Sequence, residues 1–165
     1  MRTLYLLRHA KSSWKNEDLA DFDRPLAGRG RKASESMGRF LKTKQIAVDL
    51  VLSSPAVRAR ETTDLMLRAA KLRPDLRYDE RIYEATTGRL LDVISQIENE
   101  QKTVVLVGHN PGIQELLEVL TGQTEEFSTA TLAKIVFKNS KWTEVALKKG
   151  TLEWIVRPKE LDKDN

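Results

Sequence analysis

The chain of 165 residues contains no cysteine. Disulfides, thiolate nucleophiles and cysteine-based zinc sites are therefore excluded. No apolar run approaches the roughly 18 residues that a membrane span requires. The opening stretch, Met1 to Ala10, has only a short apolar segment, interrupted at once by Arg8 and His9, and does not read as a signal peptide. A cytoplasmic location without a membrane partner is the expectation. Aromatic residues make up only 6%, the net charge is +4, and no stripe of aromatics interleaves with basic residues, so nucleic acid is not an expected partner. A glycine-rich phosphate loop with its lysine, a Gly-x-Gly-x-x-Gly and a Gly-x-Ser-x-Gly are all missing. The first two absences argue against a nucleotide or dinucleotide fold.

Hydrophobic residues at 40% and charged residues at 32% suit a globular chain. At this length a chain buries roughly 70% of its unfolded surface and needs no covalent or metal staple. The expectation is a single domain over residues 1–158 and a charged, frayed tail over 159–165. Charge is unevenly spread. Residues 1–60 hold 13 Lys+Arg against 6 Asp+Glu, and residues 61–165 hold 15 against 18. The basic part could steer an anionic partner, or could be a solvated helix face around Arg29, Arg31, Lys32, Arg39, Lys42 and Lys44.

Thr3 to Leu7 is continuously apolar and reads as a strand buried on both faces. Residues 11–27 are polar, with Asp21, Asp23 and Pro25, and read as a loop. From Gly28 to about Thr43, Ala33, Met37, Phe40 and Leu41 form one helix stripe. Asp49 to Leu52 is a second apolar strand. Ser54 then reads as a helix cap, with Pro55 at the first helical position of a helix running to about Lys71. Leu76 to Tyr78 is a third, weaker strand. Thr86-Thr87-Gly88 precedes a helix carrying Leu90, Leu91, Ile94 and Ile97. Thr103 to Val107 is the clearest buried strand, and Gly108-His109-Asn110-Pro111 turns into a helix closed by Gly122. Beyond Phe127, Leu132–Phe137, Trp142–Leu147 and Leu152–Val156 read as strands joined by short hairpins, with Leu152, Trp154 and Val156 sharing one face. This order predicts a three-layer α/β fold: a mainly parallel sheet with helices on both faces and an antiparallel C-terminal edge.

Ligands of such sheets bind beyond the carboxyl ends of the strands. The only two histidines, His9 and His109, each follow directly on an apolar strand. Arg8 precedes His9, and Arg58 lies in the first turn of the helix after the second strand. Two imidazoles and two guanidiniums would thus converge from three strand ends, a donor set suited to a tetrahedral oxyanion such as phosphate. Taken singly, each has a plainer reading: a histidine that only hydrogen-bonds, and an Arg58 that pairs with Glu61 on the surface. Zinc on two histidines and a carboxylate is disfavoured by the adjacent Arg8. No metal or cofactor is expected.

Three segments resemble the histidine phosphatase superfamily, which includes phosphoglycerate mutases and acid phosphatases. They are Leu6-Leu7-Arg8-His9-Ala10-Lys11-Ser12, Leu52-Ser53-Ser54-Pro55-Ala56-Val57-Arg58-Ala59-Arg60-Glu61-Thr62, and Val107-Gly108-His109-Asn110-Pro111. Asp23-Arg24-Pro25-Leu26, Arg29-Gly30 and the run from Arg8 to Trp14 are most similar to the compact SixA-type branch, associated with phosphohistidine on signalling proteins. Ala10 stands where the wider family has Gly, and Lys15 where mutase-like members often carry Asn. The resemblance implies a phosphoglycerate mutase-like fold and a phosphatase with a phosphohistidine intermediate on His9. Arg8, Arg58 and His109 would hold the phosphoryl oxygens. Ser12 would add a hydroxyl contact or merely cap the next turn. Glu84 would be the acid that protonates the leaving group, or would pair with Arg81 on a loop. The substrate would be a phosphorylated protein or a small phosphomonoester; a non-catalytic phosphate-binding or phosphoprotein-binding module is the remaining alternative.

Overall fold

The computed structural model describes residues 1–138, 141–145 and 149–162. Six strands form one sheet: β1 (Arg2–Arg8), β2 (Leu50–Ser53), β3 (Asp75–Tyr78), β4 (Thr103–Gly108), β5 (Leu132–Phe137) and β6 (Thr151–Val156). Their order is β3-β2-β4-β1-β5-β6. The first four run parallel; β5 is antiparallel to β1, and β6 to β5. The helices are α1 (Gly28–Thr43), α2 (Val57–Ala70), α3 (Thr87–Ser95), α4 (Gly112–Thr121) and a short α5 (Pro158–Asp162).

Alternation within the central strands builds two cores. Leu4 and Leu6 of β1 and Val104 and Leu106 of β4 pack with α3 and α4. Tyr5, Leu7, Val105 and Val107 point the other way, onto Met37 and Leu41 of α1 and Ala59, Met66 and Leu67 of α2. A strand buried on both faces has no polar side to alternate with, which is why β1 and β4 read as unbroken apolar runs. The three-layer α/β expectation is borne out. Helix α4 ends at Gly122, whose φ of 78° is the left-handed conformation that glycine adopts without a Cβ penalty.

Three local expectations are corrected. Trp142–Glu144 is a 3-10 turn, not the start of a strand, and residues 146–147 of the expected strand lie outside the described residues. Trp142 and Val145 are buried while Thr143 and Glu144 are exposed, a spacing of three that suits a turn and not a pleat. The Trp142 indole N–H donates to the Gln101 carbonyl at 2.6 Å. The alternation in β6 is also broken. Trp154 pairs with Lys134, but Leu152 pairs with Ile135, so Glu153 is an extra residue in a bulge. Leu152 and Ile155 therefore pack on the first core, and Trp154 and Val156 on the second. Last, α2 begins at Val57 with Ala56 at its N-cap; Ser54 and Pro55 lie before it. Of the tail, residues 158–162 are helical, with Leu161 against the second core; residues 163–165 lie outside the described residues.

Candidate active site

The parallel register sets the histidines side by side. Arg8 pairs with Gly108, so His9 and His109 leave neighbouring strands at the same level. The His9 amide donates to the Gly108 carbonyl at 3.0 Å, and the two ring centroids lie 5.0 Å apart. On the other side of β4, the Ser54 amide donates to the Val107 carbonyl at 3.0 Å, which places Ser54 beside His109. Three adjacent strand ends thus build one pocket of about 330 Å³, lined by Arg8, His9, Ser12, Arg24, Arg58 and His109 among others.

His9 is buried, with one ring nitrogen fully specified. Its Nδ1 lies 2.7 Å from the Ala10 carbonyl. A carbonyl only accepts, so Nδ1 carries the proton and Nε2 presents its lone pair. Arg58 Nε approaches Nε2 at 3.4 Å. Burial, followed by the charges of Arg58, Arg8 and Arg24, holds the His9 pKa down at about 4, against the backbone hydrogen bond that raises it. His109 is lowered to about 3, chiefly by burial and then by His9 and Arg58. Both rings are therefore neutral at physiological pH. The Ala10 peptide is itself anchored: its amide donates to Thr62 Oγ1 at 2.9 Å, and that hydroxyl donates to the Arg58 carbonyl at 2.7 Å.

Guanidiniums surround the imidazoles. Arg8 Nη1 donates to the Phe127 carbonyl at 2.9 Å, leaving its buried Nε without a partner; burial, then Arg58, lowers its pKa. Arg58 does not pair with Glu61. It donates to the Asp21 carbonyl at 2.7 Å and to Asp21 Oδ2 at 3.0 Å. Glu61 instead accepts from the Leu26 amide and from Arg31. Asp21 also takes the Tyr83 hydroxyl proton donor at 2.6 Å and Arg24 Nη1 at 3.2 Å. The Tyr83 bond, with those from Arg58 and Arg24, holds the Asp21 pKa at about 2.

The expected residues Arg8, His9, Arg58, His109 and Ser12 come together in this pocket. Ser12 accepts from Arg24 Nη2 at 2.6 Å. Glu84 is exposed, its φ of 51° lies in the left-handed region, and it does not pair with Arg81, which is held by Asp79 at 2.6 Å. Its neighbour Tyr83 faces the site, with the ring edge-on to His109 at 5.4 Å.

Four contributors escaped the sequence reading. Arg24, only 6% exposed, lies flat against the Trp14 ring at 3.2 Å from its centroid. Asp21 and Tyr83 bind each other across 62 positions of sequence. Ser54 lies 2.7 Å from His109 Nε2 and accepts from the Ala56 amide at 3.2 Å, so its hydroxyl serves the turn and the imidazole together, and no side chain caps α2. The one available signal was Arg24 in a polar loop directly before Pro25-Leu26 and a helix, since an arginine there has a buried neighbour to lean on. Gly30 is required by packing: a Cβ there would collide with the Lys11 backbone, two residues from His9. Among the described residues no group of three or more His, Asp or Glu is placed to hold a metal. Among the described residues no helix is long and apolar enough to cross a membrane.

An uncharacterised protein of Mycobacterium tuberculosis is 39% identical over 114 residues, 69% of each chain. A solved structure from Agrobacterium tumefaciens, provisionally assigned as phosphohistidine phosphatase SixA, is 30% identical, covers 95% of this chain and 98% of its own, and superposes with a TM-score of 0.82. The protein histidine phosphatase SixA complexed with tungstate superposes at 0.84 with 23% identity over 96% of this chain and 99% of that one, a likeness of fold. Residues 4–90 match the profile of the histidine phosphatase superfamily, branch 1. The expectation of a phosphatase is borne out, and the chain belongs to the histidine phosphatase superfamily.

Proposed function

We propose that this protein removes phosphate from phosphohistidine on a protein substrate, through a phosphoryl intermediate on His9. The observation that carries the reading is the His9 ring: neutral, with Nδ1–H fixed on the Ala10 carbonyl and the unprotonated Nε2 turned toward three guanidiniums, of which Arg58 Nε is 3.4 Å away. A nucleophilic nitrogen must be unprotonated, and the depressed pKa secures that state across the physiological range. The substrate's phosphoryl group sits against Arg8, Arg24 and Arg58. His9 Nε2 attacks phosphorus as the bond from phosphorus to the substrate nitrogen breaks, and the departing imidazole takes its proton from solvent. Water then attacks phosphorus, inorganic phosphate leaves, and the pair of electrons returns to Nε2.

Donors left over in the pocket fit this course. Arg8 Nε and His109 Nδ1 are buried and have no hydrogen-bond partner in the protein. With the Ser54 hydroxyl donating to His109 Nε2, Nδ1–H is left to donate to a phosphoryl oxygen. Charge spread over those oxygens in the transition state is met by guanidiniums already in place, so positioning and electrostatics supply the catalysis. Imidazole leaves readily, its conjugate acid having a pKa of roughly 6.5, so a dedicated acid is dispensable for this substrate. The 30% identity to the Agrobacterium tumefaciens structure over almost the whole chain supports the phosphohistidine assignment.

The test is a quenched-turnover experiment with a phosphohistidine protein. Wild type carries an acid-labile phosphoryl group on His9 during turnover. His9→Ala keeps its fold by circular dichroism and loses activity by about 10⁴-fold or more. Near-normal activity in His9→Ala overturns the mechanism, and turnover of small phosphomonoesters alone overturns the substrate assignment.

A further inference from the structure

A second hollow, of about 360 Å³, adjoins the histidine pocket, and Lys11 and Thr129 line both. Its remaining walls come from α1, from the segment before β5 and from the start of α5, with Arg29, Lys32, Ser36 and Lys159 among them. No carboxylate lines it among the described residues. Four cations, Lys11, Arg29, Lys32 and Lys159, therefore share one concavity.

The neighbouring cations behave differently. Arg31, also on α1, is paired with Glu61 at 3.2 Å. Arg157, just before α5, is paired with Glu125 at 3.3 Å and with Glu160 at 3.7 Å. Among the described residues none of the four cations of the hollow has an ion pair. Like charges gathered without counter-ions repel one another, and a bound anion relieves that repulsion. The expected solvated face of α1 is thus divided: part is neutralised within the protein, and part faces a cleft that opens onto the histidines.

We propose that this cleft is the docking surface for an acidic polypeptide segment flanking the phosphorylated residue of the substrate protein. The proposal rests on the phosphohistidine reading of the pocket. Two features favour a polypeptide over a second phosphate on a small substrate. Arg29, Lys32 and Ser36 follow at intervals of three and four along α1, so this wall, basic over its first turn and hydroxylic at Ser36, extends about 10 Å at 1.5 Å per residue. A lined length of that kind suits several carboxylates along a chain, whereas one phosphate occupies a single point. The shared residues Lys11 and Thr129 join this wall to the pocket, so one molecule can occupy both. Carboxylates met by exposed cations add association rate and selectivity and are weakened by salt.

The test combines binding and turnover. The variant is the triple Arg29→Glu, Lys32→Glu, Lys159→Glu, all exposed side chains outside the histidine pocket. Turnover of p-nitrophenyl phosphate by the variant stays within about twofold of wild type, which shows that fold and pocket are intact. A fluorescent peptide rich in Glu and Asp binds wild type at low salt, binds the variant about tenfold more weakly, and is released by raised salt. Phosphohistidine peptides with acidic flanks are preferred over those with basic flanks by wild type, and the variant loses that preference through KM. Absence of acidic-peptide binding to wild type, or binding unchanged by charge reversal, overturns the proposal. So does inhibition by inorganic pyrophosphate that weakens in the variant while peptide binding does not, since that assigns the cleft to a second phosphate. If the acidic peptide binds and responds to charge reversal but no phosphohistidine peptide is cleaved, the docking surface stands and the phosphohistidine reading falls.

Discussion

His9 and His109 hang from β1 and β4, strands whose side chains are buried on both faces and whose backbones are paired on both edges. Asp21 and Arg24 sit instead on the connection between β1 and α1, where regular structure is limited to one 3-10 turn at Asp21–Asp23 and one bridge between Ser12 and Leu26. The strand ends hold the His9 ring on the main-chain carbonyl of Ala10, and the His109 ring on the Ser54 hydroxyl that follows the neighbouring strand. The connection holds Arg24 and Arg58 through the side chains of Ser12, Trp14 and Asp21 and through the Ser13 and Asp21 carbonyls. The proposed nucleophile His9 is thus fixed by the strands, and the guanidiniums of Arg24 and Arg58, proposed to meet the phosphoryl oxygens, are fixed by a small, partly exposed network that can be edited one residue at a time.

Arg58 tests the junction of the two regions, since its backbone belongs to α2 and its guanidinium to the network. Arg58→Ala is expected to lower kcat/KM for phosphohistidine protein by about 10²- to 10³-fold, the usual loss on removing a donor to a developing oxyanion. Arg58→Lys restores little, because an ammonium cannot serve Asp21 and a phosphoryl oxygen in the same fork geometry. A loss under threefold in Arg58→Ala would place the transition-state charge elsewhere.

Asp21 touches Arg58 and Arg24 without being a proton source, its pKa lying at about 2. Asp21→Asn is expected to reduce kcat about tenfold with KM little changed, the scale of one charge-assisted hydrogen bond. Unchanged kcat with tighter phosphate binding would instead make Asp21 a resident anion that competes with substrate.

The imidazoles predict a pH response of both activity and stability. His9 and His109 are neutral in the folded protein, with pKa values of about 4 and about 3. The unfolded chain protonates them near 6.5, so below that pH the unfolded state binds more protons and stability falls with falling pH toward the folded values. Unfolding free energies from urea titrations at pH 7 and pH 5 should differ by roughly 2–4 kcal/mol in wild type and by about half as much in His109→Asn. Identical pH sensitivity in both proteins would contradict the burial of a neutral His109. Activity follows the folded pKa of the nucleophile, so kcat/KM for a substrate that does not itself titrate holds through neutral pH and drops only as Nε2 becomes protonated near pH 4.

The smallest effect is expected at Glu84. Glu84→Gln should leave phosphohistidine cleavage within about twofold, because imidazole departs without an acid, and should slow cleavage of alkyl phosphates, whose basic alkoxide needs a proton. Equal retention of both rates would leave Glu84 outside the chemistry; equal loss of both would indicate a role in placing water or the loop.

The same contrast explains what the sequence disclosed. Strands β1, β2 and β4 are short apolar runs, and three of the four expected cationic or imidazole groups follow or end such runs, so their meeting at adjacent strand ends could be read from topology. Arg24, Asp21 and Tyr83 could not. Their contacts span 12, 37 and 62 positions and depend on where a loop without periodicity comes to rest. Trp142 misled for a related reason: a buried aromatic in a short segment has the same local pattern whether it belongs to a strand or plugs a core from a turn. The bulge at Glu153 is similarly invisible to a period-two pattern, since one inserted residue reverses the faces of everything on one side of it.

Neutral imidazoles also have a consequence for product release. With His9 and His109 uncharged, the pocket is lined by the cations Arg8, Lys11, Arg24 and Arg58, and among the described residues the one carboxylate paired with them is Asp21, so a positive excess remains. That excess attracts the negative charges of a phosphoryl group at neutral pH, and it attracts free phosphate equally well. On the proposed mechanism a pocket that captures the substrate's phosphate also retains the hydrolysed one, and departure of inorganic phosphate is expected to limit the cycle. Turnover would then track the surrounding phosphate concentration, coupling dephosphorylation of the partner to the amount of its own product.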